Sequence, residues 1–151
     1  MAATVAKTRE APVRLDDDAC HRRLAAHDHG ILATVHARRG VDAVPVCFAT
    51  TATHLAVPID VVKPKGTTDL QRTTNLERDP RATLLVEGWD PLDWSQLWWV
   101  RVELRRTELD DAQADGLARL LRDKYLPYRD ATFAALLTFD LGPITGWAAT
   151  A

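Results

Sequence analysis

The stretch that decides the fold is residues 96–109, QLWWVRVELRRTEL, in which apolar and polar side chains alternate. Side chains two positions apart share one face of a β-strand, so Trp98, Val100, Val102 and Leu104 lie together and are predicted to enter the core. The opposite face combines an aromatic ring with cations, which suits a subunit interface or the wall of a ligand site. We predict that these residues form the longest strand of the protein.

Five further strands are predicted on either side of this one. Pro45 and Pro58 each fall inside a predicted strand, and because proline lacks an N–H group we expect them at edges, bulges or strand ends. The runs that predict these strands are residues 31–36, 41–50, 54–59, 82–87 and 133–141, the last of them stopped by Gly142 and Pro143.

Three helices are predicted, one before the first strand and two between later strands. Acidic residues 16–18 suit the positive end of the first helix dipole, and Gly30 is a plausible stop. A short polar helix through Glu77 is predicted to have its cap at residue 67 or 68. Residues 110–111 cap the third helix, whose apolar side chains recur at helical spacing.

These elements predict a mainly β fold with peripheral helices. Six strands in mostly antiparallel hairpins are too many for a small flat sheet, whereas a closed or half-split barrel removes the exposed edges. We therefore predict a six-stranded antiparallel split β-barrel. Residues 1–12 are interpreted as a flexible tail and residues 13–151 as one domain, since 151 residues is close to the usual domain size.

Composition excludes several classes of function. Nineteen basic and twenty-one acidic residues leave a net charge of −2, so general nucleic-acid binding is not expected. The sequence contains no apolar run near the length of a membrane span, no hydrophobic segment at its N-terminus and only two cysteines, which favours a cytoplasmic protein.

The sequence also lacks the motifs of common catalytic and cofactor sites. It has no Gly-x-Gly-x-x-Gly, Walker loop, Cys-x-x-Cys or His-Glu-x-x-His. Residues 27–29, His-Asp-His, offer two metal ligands, but we interpret them as a solvated helix end and predict no metal. Cys47 is interpreted as small apolar packing. A hydride-transferring enzyme needs no catalytic triad, because its cofactor performs the bond chemistry.

A candidate anion site lies before and within the second helix. Lys63 and Lys65 flank Pro64, whose ring stiffens the loop, so two ammonium groups could clamp a phosphate. Arg72 and Asn75 are three residues apart on the helix and share a face, where they could complete the cradle. A solvated surface loop is the alternative interpretation.

Tryptophans supply a candidate wall for a ring. Trp94, Trp98 and Trp99 lie within six residues, and Arg101 follows closely. Tryptophan commonly fills cores and homodimer interfaces, and we assign Trp98 to the core. Trp99 and Arg101, on the other face, are candidates for a dimer wall or a cofactor contact.

Four stretches resemble the deazaflavin-dependent reductase branch of the pyridoxamine-phosphate-oxidase-like split-barrel proteins, a family common in actinobacteria. The similarity extends from about residue 29 to residue 108. Leu104 and Gly66 depart from it, since the family has glycine and a basic residue at those places. The stretches are residues 63–65, KPK; 70–72, LQR; 75–86, NLERDPRATLLV; and 93–102, DWSQLWWVRV.

The resemblance implies a homodimer with two sites between subunits, each binding FMN or the deazaflavin coenzyme F420. It places the phosphate contacts at Lys63, Lys65 and Arg72. It also implies that Trp98, Trp99 and Arg101 either approach the site from the partner or support the wall of that site. The cofactor-binding residues that we predict are Val46, Cys47, Pro58, Ile59, Lys63, Lys65, Arg72, Asn75, Trp99 and Arg101.

The function that follows is F420-dependent hydride transfer involving a small conjugated or quinone-like organic substrate. Two alternatives stay open. One is an FMN-using oxidase of the pyridoxamine-phosphate-oxidase type, and the other is a non-catalytic carrier of a flavin, deazaflavin or haem-like ring.

Overall fold

The structure, a computed structural model, describes residues 11–60 and 70–150. The described residues contain eight strands, three α-helices and one 3₁₀ turn. The strands are β1 Val13–Leu15, β2 Gly30–His36, β3 Gly40–Val46, β4 Ala49–Thr50, β5 His54–Asp60, β6 Arg81–Asp90, β7 Asp93–Arg106 and β8 Phe133–Ala148; the helices are α1 Asp17–Ala26, α2 Gln71–Arg78 and α3 Asp111–Lys124, and the 3₁₀ turn is Leu126–Tyr128.

One antiparallel sheet contains all the strands, in the order β3-β2-β6-β7-β8-β5-β4, with β1 pairing on β8. Strands β3 and β4 end this path on opposite sides, yet only residues 47 and 48 join them. That connection spans at most about 11 Å. A flat sheet of seven strands would hold its edges about 29 Å apart. The sheet is therefore open but strongly rolled, which is the arrangement of a split barrel and confirms the mainly β antiparallel prediction.

The rolled sheet surrounds the main hydrophobic core. Alternate residues of β2, β5, β6, β7 and β8 point inward, and Phe48 in the β3–β4 connection and Phe139 on β8 are its largest fully buried side chains. A second, smaller cluster lies between α3 and the outer side of β4 and β5. Because the two clusters lie on opposite sides of β5, its side chains are largely buried on both faces.

The number of strands differs from the prediction of six. Strand β1, directly after the predicted tail, was not expected. The predicted strand over residues 41–50 is divided, because β3 ends at Val46 and the chain then crosses to the far edge of the sheet to form β4. A rolled sheet requires this crossing, and the local alternation of side chains does not reveal it.

Strand β7 confirms the predicted faces, with Val100, Val102 and Leu104 buried. Its limits are Asp93–Arg106, and β8, with 16 residues, is longer. The predicted stop at residues 142–143 is wrong, because β8 continues through it. One extra residue of β8 faces β7 there, which is a β-bulge, and a bulge tolerates the proline.

The helix limits are partly as predicted. Asp16 caps α1, and Asp110 and Gln113 form a reciprocal capping box on α3. Gly30 is not the stop of α1, which ends at Ala26, and it begins β2 instead. A Cβ atom on Gly30 would lie 3.0 Å from Leu84 Cδ1, so close packing in the sheet explains this glycine.

Helix α2 begins after Leu70, which makes no side-chain cap hydrogen bond. The predicted cap positions, 67 and 68, lie outside the described residues. Among the described helices, none is both long and apolar enough to cross a membrane.

Candidate cofactor site

The predicted pairing of an aromatic ring with a cation is found on the outer face of the sheet. Trp99 and Arg101 both point away from the core on β7, and the guanidinium carbon of Arg101 lies 5.4 Å from the centre of a Trp99 ring. This distance allows a cation–π interaction, which holds the two side chains together. Trp98 projects to the opposite face, where it is half-buried and packs against the main core.

Trp99 and Arg101 line an open groove of about 660 Å³ on the outer faces of β2, β3, β6 and β7. The groove is mainly apolar, since Ile31, Leu85 and Trp89 also line it, and Trp89 is 55 % exposed. A contiguous exposed apolar surface of this kind is typical of protein–protein interfaces and ligand sites.

The other predicted cofactor residues on strands lie beside the open edges of β3 and β5, which form the split of the barrel. They are Val46, Cys47, Pro58 and Ile59. Val46 and Ile59 are buried in the main core, whereas Cys47 packs with the smaller cluster. Strand β4 pairs only with Leu55 and Ala56, so the rest of β5, including Pro58, has no strand on that side within the described residues. The far side of β3, with Pro45, is likewise a sheet edge. Both prolines therefore occupy edge positions, as predicted.

Asn75 is buried and its side-chain amide joins α2 to the barrel. Its Nδ2 donates hydrogen bonds to Thr34 Oγ1 at 3.0 Å and to Asp42 Oδ2 at 2.8 Å, and its Oδ1 accepts one from Gln71 at 2.9 Å. The hydrogen bond from Asn75, followed by that from Arg39, holds the pKa of Asp42 below its usual value. Both donors of the Asn75 amide are thus used within the protein.

The remaining predicted phosphate contacts are only partly described. Arg72 is half-buried on α2, one turn before Asn75. Lys63 and Lys65 lie outside the described residues, so their convergence with Arg72 stays a prediction.

Two residues that the sequence analysis did not select, Lys124 and Tyr125, anchor the connection between β3 and β4. The Tyr125 hydroxyl lies 2.7 Å from the Asp28 carbonyl oxygen and accepts a hydrogen bond from the Phe48 N–H at 3.1 Å. Burial raises the pKa of Tyr125 to about 12. Phe48 and Tyr125 are 77 residues apart, so no local pattern could reveal this contact.

Lys124 places its ammonium group 3.9 Å from the centre of the Phe48 ring. Burial lowers the pKa of Lys124 to about 8, and the Nζ atom has no hydrogen-bond partner among the described residues. The cation therefore relies on the Phe48 and Tyr125 rings for its favourable contacts.

Comparisons with known proteins support the fold without defining the family. No family model matches the chain, and no curated protein matches it.

Solved structures match over most of the chain. A FAD-binding protein from Mesorhizobium loti is 20% identical, with a TM-score of 0.60 over 90% of this chain and 95% of that one. A putative pyridoxamine 5'-phosphate oxidase from Corynebacterium glutamicum is 12% identical, with a TM-score of 0.56 over 90% and 96%. An F420 reductase is 16% identical, with a TM-score of 0.54 over 82% and 94%. At these identities the similarity establishes a common fold.

Proposed function

We propose that this protein is an F420-dependent oxidoreductase that acts as a homodimer, with each cofactor site built from both copies. The shared fold with an F420 reductase and with flavin-associated proteins supports a redox ring as the ligand. The resemblance of short stretches within residues 63–102 to the deazaflavin-dependent reductases supports the deazaflavin in particular.

The observation that carries this proposal is the separation of the predicted site residues within one chain. Trp99 is on β7, three strands from β3 in the sheet, which is about 14 Å, and it faces outward. Pro58, on β5, and Cys47, directly after β3, lie at the split of the barrel. One ring would contact both sets if the outer groove of a second copy packed near the split of the first.

Each set of residues would have a separate task. Lys63, Lys65 and Arg72 would neutralise the anionic tail, and the unpaired edges of β3 and β5 would hydrogen-bond polar atoms of the ring. Trp99, held by Arg101, would give the partner's apolar wall. When bound, reduced F420 supplies the hydride that a conjugated or quinone-like acceptor receives, so no side chain has to provide a nucleophile.

Binding is the first test. Purified full-length protein is titrated with F420 and with FMN by calorimetry, and its mass in solution is measured by light scattering. We expect a dimer that binds F420 with micromolar or better affinity and prefers it to FMN. A stable monomer, or a protein that binds neither compound, would contradict the proposal.

The phosphate contacts are tested by replacing Lys63 and Lys65 together with alanine. We expect at least a tenfold loss of F420 affinity, about 1.4 kcal/mol, because two charge-assisted contacts are removed. The control replaces Arg119 and Arg129, two exposed cations elsewhere, and should retain the affinity. Equal affinity in the two double variants would exclude this phosphate site.

Turnover is measured by the oxidation of reduced F420 in the presence of a panel of quinones and conjugated ketones. Tight binding without stimulated oxidation would indicate a carrier. An FMN enzyme is the second candidate, favoured by the fold shared with a FAD-binding protein and a putative pyridoxamine 5'-phosphate oxidase. A yellow protein with flavin absorption bands as purified would support that candidate over F420.

A further inference from the structure

A compact group of possible metal ligands lies at the end of α1, and the Tyr125 hydroxyl links it to the β3–β4 connection. The ligand atoms of His27, Asp28 and His29 all lie within 4.8 Å of one another. Asp28 Oδ1 is 2.6 Å from His29 Nδ1 and 3.9 Å from His27 Nε2. The sequence analysis interpreted these residues as a solvated helix end, and the structure adds that their side chains converge.

The backbone beneath this group is fixed on both sides. His27 is the C-cap of α1, where its N–H donates to carbonyl oxygens of the preceding turn. The His27 ring also packs edge-on against Trp98, with 5.3 Å between ring centres. The Asp28 carbonyl oxygen accepts a hydrogen bond from the Tyr125 hydroxyl at 2.7 Å. These contacts reduce the entropy that a ligand would have to remove on binding.

The distances suit a small metal ion after minor side-chain rotation. Tetrahedral bonds of about 2.1 Å hold neighbouring ligand atoms about 3.4 Å apart, which lies between the 2.6 and 3.9 Å measured here. Asp28 and His29 are 82 % and 61 % exposed, so water or another ligand can reach an open coordination position.

The donor atoms determine the class of metal. Two imidazoles and one carboxylate suit Zn²⁺ and similar divalent transition metals, whereas Ca²⁺ and Mg²⁺ prefer sites made entirely of oxygen. Lys124 and Asp28 interact electrostatically, so the positive charge of Lys124 opposes tight binding of a cation. We propose that His27, Asp28 and His29 form a divalent transition-metal site with an open position and micromolar affinity for Zn²⁺.

The test uses the full chain without a polyhistidine tag, stripped with a chelator. Zn²⁺ is titrated by calorimetry, and Co²⁺ is added to reveal ligand-field absorption bands. We expect one ion per chain and visible bands typical of four-coordinate Co²⁺. No Zn²⁺ binding by the wild-type chain would overturn the proposal.

Variants assign the ligands. Replacing His27 and His29 with alanine should abolish binding, and Asp28→Asn should weaken it at least tenfold. His29→Ala alone tests the site if loss of His27 disturbs folding. The control removes the imidazoles of His21 and His54 and should bind normally.

A thiol is the competing ligand, and Cys47→Ser tests it. We expect unchanged affinity in this variant. If Cys47→Ser lost Zn²⁺ binding, the thiol would be a ligand and the proposal would be overturned. The proposal would also be overturned if the variant lacking both His27 and His29 still bound Zn²⁺.

Discussion

Replacing Asn75 with alanine should destabilise the protein strongly although the residue lies in a predicted ligand site. Asn75 is only 1 % exposed, and its amide connects α2 to β2 and β3. Alanine at this position cannot replace either donated hydrogen bond, and Thr34 is too buried for water to substitute.

The magnitude follows from the partners. The bond to the neutral Thr34 hydroxyl contributes about 1 kcal/mol, and leaving that buried hydroxyl without its donor costs about 1 kcal/mol more. The bonds to Asp42 and from Gln71 add little, because water can bond to the Asp42 carboxylate and to the exposed Gln71 amide. The free energy of unfolding should therefore fall by about 2 kcal/mol.

Urea unfolding followed by tryptophan fluorescence measures this change. Gln71→Ala is the matched control, since it removes the accepted bond alone, and it should change stability by less than about 0.5 kcal/mol. A loss below about 1 kcal/mol for Asn75→Ala would refute the reasoning. A variant that keeps its stability but loses F420 affinity would instead assign Asn75 a direct role in binding.

Two further substitutions test the packing. Lys124→Met should stabilise the protein by about 1 kcal/mol at pH 7, after allowing for partial exposure and the lost cation–π contact. Burial lowers the pKa of Lys124 from 10.5 to about 8, so below pH 8 the wild type bears the full cost of burying a charged ammonium group. As the pH rises toward 10.5 this group loses its proton in the folded protein. Urea unfolding should therefore show the stability gained by Lys124→Met disappearing over that range. If Lys124→Met stabilised the protein equally at pH 7 and pH 10.5, burial of the charge would not be the cause. Gly88→Ala should destabilise by about 2 kcal/mol, because the new Cβ would collide with the Trp98 indole Nε1 and lie 2.9 Å from its Cε2. Gly116→Ala, in open space on α3, should stabilise the protein in the same urea unfolding measurements, and a Gly88→Ala variant as stable as the wild type would contradict the packing.

Elements with a local signal were predictable. The faces of β7 follow from its alternating side chains, and Asp16 and Asp110 identify two helix starts because capping involves only the next three residues. The edge positions of Pro45 and Pro58 follow from their missing N–H groups.

Features set by distant contacts were not predictable. The interruption after Val46 depends on the rolling of the whole sheet, and the roles of Lys124 and Tyr125 depend on a contact with Phe48. Asn75 was selected as a ligand because it shares a face of α2 with Arg72, whereas its hydrogen bonds to Thr34 and Asp42 were not foreseen. A polar side chain on an isolated helix does not show whether its partner is protein or ligand.

The sequence by itself determined the antiparallel β character, the outward pairing of Trp99 with Arg101 and most of the helix starts. These properties depend on backbone periodicity and on neighbours a few residues away. Only the tertiary structure decided that β3 and β4 lie at opposite edges, that Trp99 and Arg101 are three strands from the sheet edge at β3, and that His27, Asp28 and His29 converge. Long-range burial and chain closure determine those positions, and their energies depend on residues far apart in the chain.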